Sequence, residues 1–378
     1  MKVIGLKKDT PGVFLENIPE PSIRKPNEVK IRMLKAGICG SDRNLVKFHA
    51  VDAAEGENFL VMGHEGFGVV VEVGNKVRSV KKGDHVVPTA RRSCGQCAAC
   101  AKGQSDVCYT GLYKETGLHK LQGFFAEFAV AEEEYLAKVP KGLAEVAVWG
   151  EPMSVVAKTM EIAKYELGRY PPECGHPRHV CKGKHWGICK TAIVLGAGPI
   201  GFLAACVLRA HDVETEVLLR TLDPASHREK LFRKIGVKYI RSTVNKKPNE
   251  WVDDKMKPSI LIEAAGDSET AFQILPHLER NSVCILTGVP RGGEKITCFD
   301  TDHLLRQMVR FNQSIVGSVN GNKDHFIQGF EEMQFIQKKF GNILAEAITK
   351  EYSWNEYEAA LTSRDAGLIK SIFNFQKE

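Results

Sequence analysis

The 378-residue sequence has no apolar run approaching the length that spans a bilayer. Its first ten residues, MKVIGLKKDT, lack the apolar core and small-residue cleavage site of a secretory signal. Both absences point to a soluble, cytoplasmic protein. Charge of one sign is also scarce, because 52 Lys and Arg against 46 Asp and Glu leave a net charge of only +6. That balance does not indicate nucleic-acid binding. No internal repeat and no low-complexity segment interrupts the chain, and its length favours two domains over one core. The eleven cysteines are an odd number in a chain too large to need disulfides, and four of them are clustered. Clustering favours a metal over cystine.

The N-terminal part alternates polar and apolar residues at period two, as in Lys2-Val3-Ile4-Gly5-Leu6 and Glu28 to Ile38, with Pro19, Pro21 and Pro26 between them. Further strands are expected around Phe59 to Met62, within Gly63 to Val77, and at His85 to Pro88 and Phe124 to Val130, so this region reads as a small glycine-rich β barrel. Residues 47–58 read as a surface loop. From Thr191 the pattern changes to alternating strand and helix: strands at Thr191–Leu195, Glu216–Leu219, Ser259–Gly266 and Ser282–Gly288, helices at Pro199–Ala210 and Ala225–Ile235. That alternation is the mark of a doubly wound parallel sheet.

Cys94-Gly95-Gln96-Cys97-Ala98-Ala99-Cys100, followed by Cys108, has the spacing C-x2-C-x2-C-x7-C. Four converging thiolates repel unless a cation neutralises them, and a tetrahedral four-cysteine set leaves no open position, so the expected metal is structural zinc. Cys174, His176, His179, Cys181, His185 and Cys189 look similar at first sight but fit no ligand spacing. They read as an irregular connection. Gly196-Ala197-Gly198-Pro199-Ile200-Gly201 follows a strand and opens a helix, which is the setting of a dinucleotide fingerprint. About twenty residues on, where an acidic side chain would bind the ribose of NAD, the sequence reads Leu218-Leu219-Arg220-Thr221-Leu222. Arg220 favours NADP, or use of both cofactors; the alternative is that Asp223 reaches back to the ribose.

His64-Glu65, taken alone, reads more readily as the polar end of a strand than as a metal-ligand pair. Cys39, at the end of an expected strand, and Glu151, at the start of an expected helix, supply a thiolate and a second carboxylate. With a nicotinamide domain in the same chain, the four side chains fit a catalytic zinc that keeps a position open.

Gly63-His64-Glu65 with Gly68 and Gly74-x-x-Val77 resembles the zinc signature of the medium-chain alcohol and polyol dehydrogenases. Cys39-Gly40-Ser41-Asp42, the cysteine cluster and Gly196 to Gly201 follow in that family's order over essentially the whole chain. Arg91-Arg92, Leu112 to Gly117, Gly123-Phe124, Gly150-Glu151-Pro152 and Gly317-Ser318-Val319-Asn320 resemble the archaeal-type glucose (aldose) dehydrogenases in particular. The resemblance implies a GroES-like catalytic domain over 1–187 and 308–378, carrying a structural zinc lobe at about 91–110, and an inserted Rossmann NAD(P)-binding domain over 188–307.

It also implies Cys39 and His64 as direct zinc ligands, with Glu65 and Glu151 ligating directly, by exchange or through water. Ser41 would bond the reacting hydroxyl, and Glu115, Glu151 and Asn320 would contact the sugar. The cofactor contacts would be Gly196, Gly198, Pro199, Ile200, Gly201, Arg220, Thr221, Thr287, Gly288, Val289, Ser318 and Asn320. The reaction implied is oxidation of an aldose at C1 to the lactone, by a dimer or tetramer binding two zinc ions per chain. Two departures from the pattern leave the sugar and the cofactor ratio open: Ala90 stands where some relatives have a sugar-binding Asn, and the Arg220 loop is poorer in arginine. The other readings are a polyol or secondary-alcohol dehydrogenase, a non-catalytic nucleotide-binding protein of this fold, and a zinc-module nucleic-acid binder, which lacks a basic, aromatic-rich surface.

Overall fold

The fold comes from a computed structural model that describes residues 1–169, 186–220, 223, 225–237, 239–242, 257–290, 298–363 and 367–377. The Cys/His-rich residues 174–185 and Thr221 lie outside the described residues. Two compact units are present: one comprises Met1–Ser154, Asn320–Gln334 and Ile348–Glu378, the other Val155–Val319 and Phe335–Ala347. The sequence places the boundaries at 187/188 and 307/308. The later division is displaced because Ser314–Gly317 is a strand hydrogen-bonded in parallel to Val283–Leu286, which ties it to the nucleotide-type sheet. The earlier one falls inside the single helix Gly150–Leu167.

The first unit is β-rich, as expected. Its spine is the strand Glu28–Ile38, which pairs with Glu65–Val73, Phe128–Glu132 and Lys370–Asn374. This strand and its partners belong to a seven-stranded sheet that continues through His85–Pro88 and Leu136–Lys138 on one side and Ile348–Tyr352 on the other. The alternation seen in the sequence puts Val29, Ile31 and Met33 on one face, against Val70, Val86, Phe124 and Leu136. Farther along the same strand Ala36 and Ile38 pack with Ile4, Phe125, Tyr352 and Phe373. Register shifts between Lys30 and Ile31 and between Met33 and Lys35 bend the spine against Glu65–Val73, as bulges do.

The second unit holds six parallel strands in the order Tyr239–Ser242, Glu214–Leu219, Thr191–Leu195, Ile260–Glu263, Val283–Leu286, Ser314–Gly317. This is the doubly wound arrangement, and its order reverses between Thr191–Leu195 and Ile260–Glu263. The helix Pro199–Ala210 buries Gly201 to Leu208 and Ala210, so it is apolar nearly all round, as a helix enclosed by its neighbours must be.

Candidate active site

Cys39 is the N-cap of the helix Gly40–Phe48, with extended backbone angles that let the spine strand run directly into the helix. The Asp42 carboxylate reaches back to accept from the Cys39 N–H at 2.7 Å. One turn therefore fixes Cys39, Ser41 and Asp42 together. On the facing strand Glu65 sits directly opposite Gly37. Gly37 has to be glycine, because a Cβ there would collide with the Glu65 carboxylate and crowd Lys370. Just before the strand, Gly63 adopts φ +88°, and a side chain there would strike Phe125.

The ligand atoms of Cys39, His64 and Glu65 lie within 4.8 Å of one another. Thiol, imidazole and carboxylate are a zinc donor set. His64 is buried, and its Nδ1 lies 3.3 Å from Asp42 Oδ1, yet neither atom completes a hydrogen bond. Burial opposes charge on this imidazole, but Asp42 and then Cys39 outweigh it and raise its pKa well above the usual value. Such a frustrated, buried donor set is what a cation at these three side chains would relieve. The residues fit the metal.

Two neighbours carry no sequence signal for this role. Asp42 stands in the quoted Cys39 motif without a part assigned to it. Lys370, 305 residues from Glu65, forms a completely buried ion pair with the Glu65 Oε2 atom. Glu151, the second residue of its helix, is buried but is not one of the three converging side chains. Burial pushes its carboxyl up to about 7; Glu65 and Glu115 add to the rise, while His64 and Lys370 oppose it. Glu115 accepts from Arg91 and from Asn320 Nδ2, so two expected sugar contacts meet directly. Asn320 holds φ +56°, a left-handed conformation that asparagine tolerates.

Cys94, Cys97, Cys100 and Cys108 also converge within 4.8 Å. The Gln96 N–H points at Cys94 Sγ and the Cys100 N–H at Cys97 Sγ, at 3.5 and 3.4 Å. A hydrogen bond from Thr110, then the Gln96 and Cys97 N–H groups, lower the Cys94 thiol to about 6. Donors aimed at sulfur suit thiolates gathered around a cation.

In the second unit Gly196 has φ +112°, and a Cβ on Gly201 would run into the Gly196 carbonyl. Gly198, the N-cap of Pro199–Ala210, faces open space, so no side chain crowds the backbone before Pro199 and Ile200, as binding of a pyrophosphate at a helix start requires. Thr287 and Gly288 are tied by their N–H groups to the Glu263 carbonyl at 2.9 and 3.0 Å, and Val289 beside them is exposed. Ser318 is buried, with its N–H on the Leu286 carbonyl at 2.9 Å. Arg220 is exposed just past the strand Glu214–Leu219. Asp223 accepts from the Ala225 N–H at 3.1 Å, which engages one of its carboxylate oxygens within its own turn.

These two units define a class: a GroES-like alcohol dehydrogenase domain joined to a dinucleotide-binding sheet. The model of the alcohol dehydrogenase GroES-like domain matches residues 25–141, and that of the glucose dehydrogenase C-terminus matches residues 144–375. The chain belongs to the glucose dehydrogenase family. It is 35% identical to a glucose 1-dehydrogenase of Methanocella arvoryzae over 91% of this chain and 90% of that one. Identity to glucose 1-dehydrogenase 1 of Vulcanisaeta moutnovskia is 33%, over 95% of this chain and 94% of that one. Among solved structures, the glucose dehydrogenase of Haloferax mediterranei, in complex with NADP, Zn and gluconolactone, matches with a TM-score of 0.85 at 27% identity over 99% of both chains.

Proposed function

We propose that the protein oxidises D-glucose, or a closely related aldose, at C1 to the aldonolactone, with NADP or NAD as hydride acceptor and zinc at Cys39, His64 and Glu65. The observation that carries this reading is the convergence of those three side chains in a chain whose relatives are glucose 1-dehydrogenases. When bound, zinc supplies a Lewis acid for the C1 hydroxyl and nicotinamide supplies a hydride acceptor. Cys39 and His64 would hold the zinc directly, and Glu65, paired with Lys370, would ligate directly, by exchange or through water. The Ser41 hydroxyl, on the same turn as Cys39, would bond the C1 hydroxyl and relay its proton, giving up its own hydrogen as it accepts that one. Glu115 and Asn320 orient the sugar through its other hydroxyls. Glu151, with a carboxyl near 7, serves as a sugar acceptor or as a ligand through water.

Gly196, Gly198, Pro199, Ile200 and Gly201 would cradle the pyrophosphate and Arg220 would meet the 2'-phosphate, with Thr221, outside the described residues, expected beside it. Thr287, Gly288, Val289 and Ser318 would contact the cofactor; Asn320 is an expected nicotinamide contact. The four-cysteine lobe takes a second, structural zinc. No helix among the described residues is long and apolar enough to cross a membrane, in keeping with a cytoplasmic protein. Ser314–Gly317 ends the parallel sheet among the described strands and offers a free side through which a dimer or tetramer would pair.

Steady-state kinetics on glucose, galactose, xylose and a panel of polyols, with each cofactor, before and after chelation, test the reading. Aldose turnover that is lost on chelation, in a protein carrying two zinc ions per chain, is expected. Polyol turnover without aldose turnover overturns the sugar assignment, and a single zinc confined to the cysteine lobe overturns catalysis.

A further inference from the structure

We infer that Arg91 is a positioning residue that couples the four-cysteine lobe to the sugar subsite, by fixing the Glu115 carboxylate so that only one of its oxygens is left for substrate. The inference rests on the reading of Glu115 as a sugar contact.

Arg91 and Glu115 are register partners in the antiparallel pair Arg91–Arg92 and Lys114–Thr116, so their side chains start from directly opposed positions on one face. The guanidinium spends its donors in two directions. Nε and Nη2 both go to Glu115 Oε1, at 2.9 and 2.8 Å. Nη1 goes to the Asp106 carbonyl at 3.0 Å. Asp106 belongs to the single turn Ser105–Val107, which lies between Cys100 and Cys108, so the lobe the cysteines gather is what presents that carbonyl. The flat face of the guanidinium lies 3.8 Å from the centre of the Tyr113 ring, which blocks rotation out of the fork.

The consequence appears on the carboxylate. Asn320 Nδ2 donates to the same Glu115 Oε1 at 2.5 Å. Three donors thus converge on one oxygen, and no donor among the described residues reaches Oε2. A carboxylate held in this way presents a single, oriented acceptor, which suits one neutral hydroxyl. A lysine in place of Arg91 would supply a point charge without the fork and could not hold both Glu115 and Asp106 in this geometry. Arg92, the next residue, points the other way, over the Tyr135 ring and onto Thr89. It is equally buried and touches none of this network, so it serves as an internal control.

The test uses the full-length, zinc-loaded protein with Arg91→Lys, Glu115→Gln, the double variant and Arg92→Lys. The readouts are kcat, the KM for glucose, the KM for the cofactor and zinc content by mass spectrometry. Arg91→Lys is expected to raise the glucose KM about tenfold, the scale of one charge-assisted hydrogen bond. The cofactor KM should stay within about twofold and both zinc ions should remain. The double variant should match Glu115→Gln alone, because the two residues act as one unit, and Arg92→Lys should leave the glucose KM in place.

If Arg91→Lys does not accumulate, Tyr113→Leu replaces it, with a smaller rise in the same direction expected. A rise in the glucose KM for Glu115→Gln with none for Arg91→Lys, or effects that multiply in the double variant, overturns the inference and leaves Glu115 as a sugar contact. So does a rise accompanied by loss of lobe zinc, or shared by Arg92→Lys, since each means that Arg91 only holds the lobe together. No change for Glu115→Gln overturns both.

Discussion

Replacing Lys370 by methionine removes a buried cation while nearly preserving volume, and its effect can be worked from the geometry. Lys370 is wholly buried and its partner Glu65 nearly so. The Lys370 ammonium lies 5.8 Å from the Trp149 ring centre, so one of its remaining faces meets an aromatic π cloud. At an effective dielectric of about 20, two unit charges in contact attract by about 4 kcal/mol. Removing one member leaves a carboxylate buried without a counter-charge, a change that costs about 3–5 kcal/mol. For a unit of about 150–250 residues each kcal/mol lowers the midpoint by about 2–4 °C, so a fall of roughly 6–20 °C is expected.

The assay is thermal unfolding of chelator-treated protein, so that metal release does not enter the comparison. Glu65→Gln in the Lys370→Met background should recover most of the loss, because the orphaned charge is then gone. A fall corresponding to less than about 1 kcal/mol, or a double variant whose loss equals the sum of the singles, would refute the pair as a structural element.

Two further outcomes follow from the second unit. Arg220→Asp should weaken NADP far more than NAD, by about 10-fold or more in KM ratio; equal effects on both cofactors would remove Arg220 from the ribose site. Glu166 accepts from Ser314 Oγ at 2.7 Å and from Arg169 at 2.9 Å, and the Ser314 hydrogen bond foremost, with Arg169, holds its carboxyl below the ordinary 4.5 against partial burial. Its contribution is therefore present above about pH 4.5 and is lost as the pH falls through the lowered folded value. Because Arg169 is nearly half exposed, Glu166→Gln should cost under about 1 kcal/mol at neutral pH, and the gap in urea midpoint should close in acid. A gap that persists or widens at low pH would contradict the assignment.

Short-range spacing carried most of what could be read in advance. The cysteine cluster, the glycine fingerprint and the Gly63-His64-Glu65 stretch each bring their ligands together within a few residues, so local backbone geometry is enough to define the chemistry. The strand Thr191–Leu195 and the helix Pro199–Ala210 have the bounds that hydrophobic periodicity and the opening proline imply, because fully buried elements leave continuous apolar runs in the sequence. No local pattern says that Ser314–Gly317 belongs to the parallel sheet. That depends on hydrogen bonding to Val283–Leu286.

What the tertiary structure alone decided is the company each motif keeps. Lys370 reaches Glu65 only because the strand Lys370–Asn374 lies beside Glu28–Ile38 in the sheet, with Glu65–Val73 on the other side. Sheet order is a long-range property that no local pattern encodes. The same holds for Glu151, whose raised carboxyl is the product of burial beside Glu65 and Glu115, and for Arg91, a basic residue by sequence and a fixed link between two sites by packing. The sequence alone determined which chemical groups the protein has for zinc, nucleotide and sugar. The fold decided which of their charges are paired, buried and left free to act, because desolvation and pairing depend on neighbours drawn from distant parts of the chain.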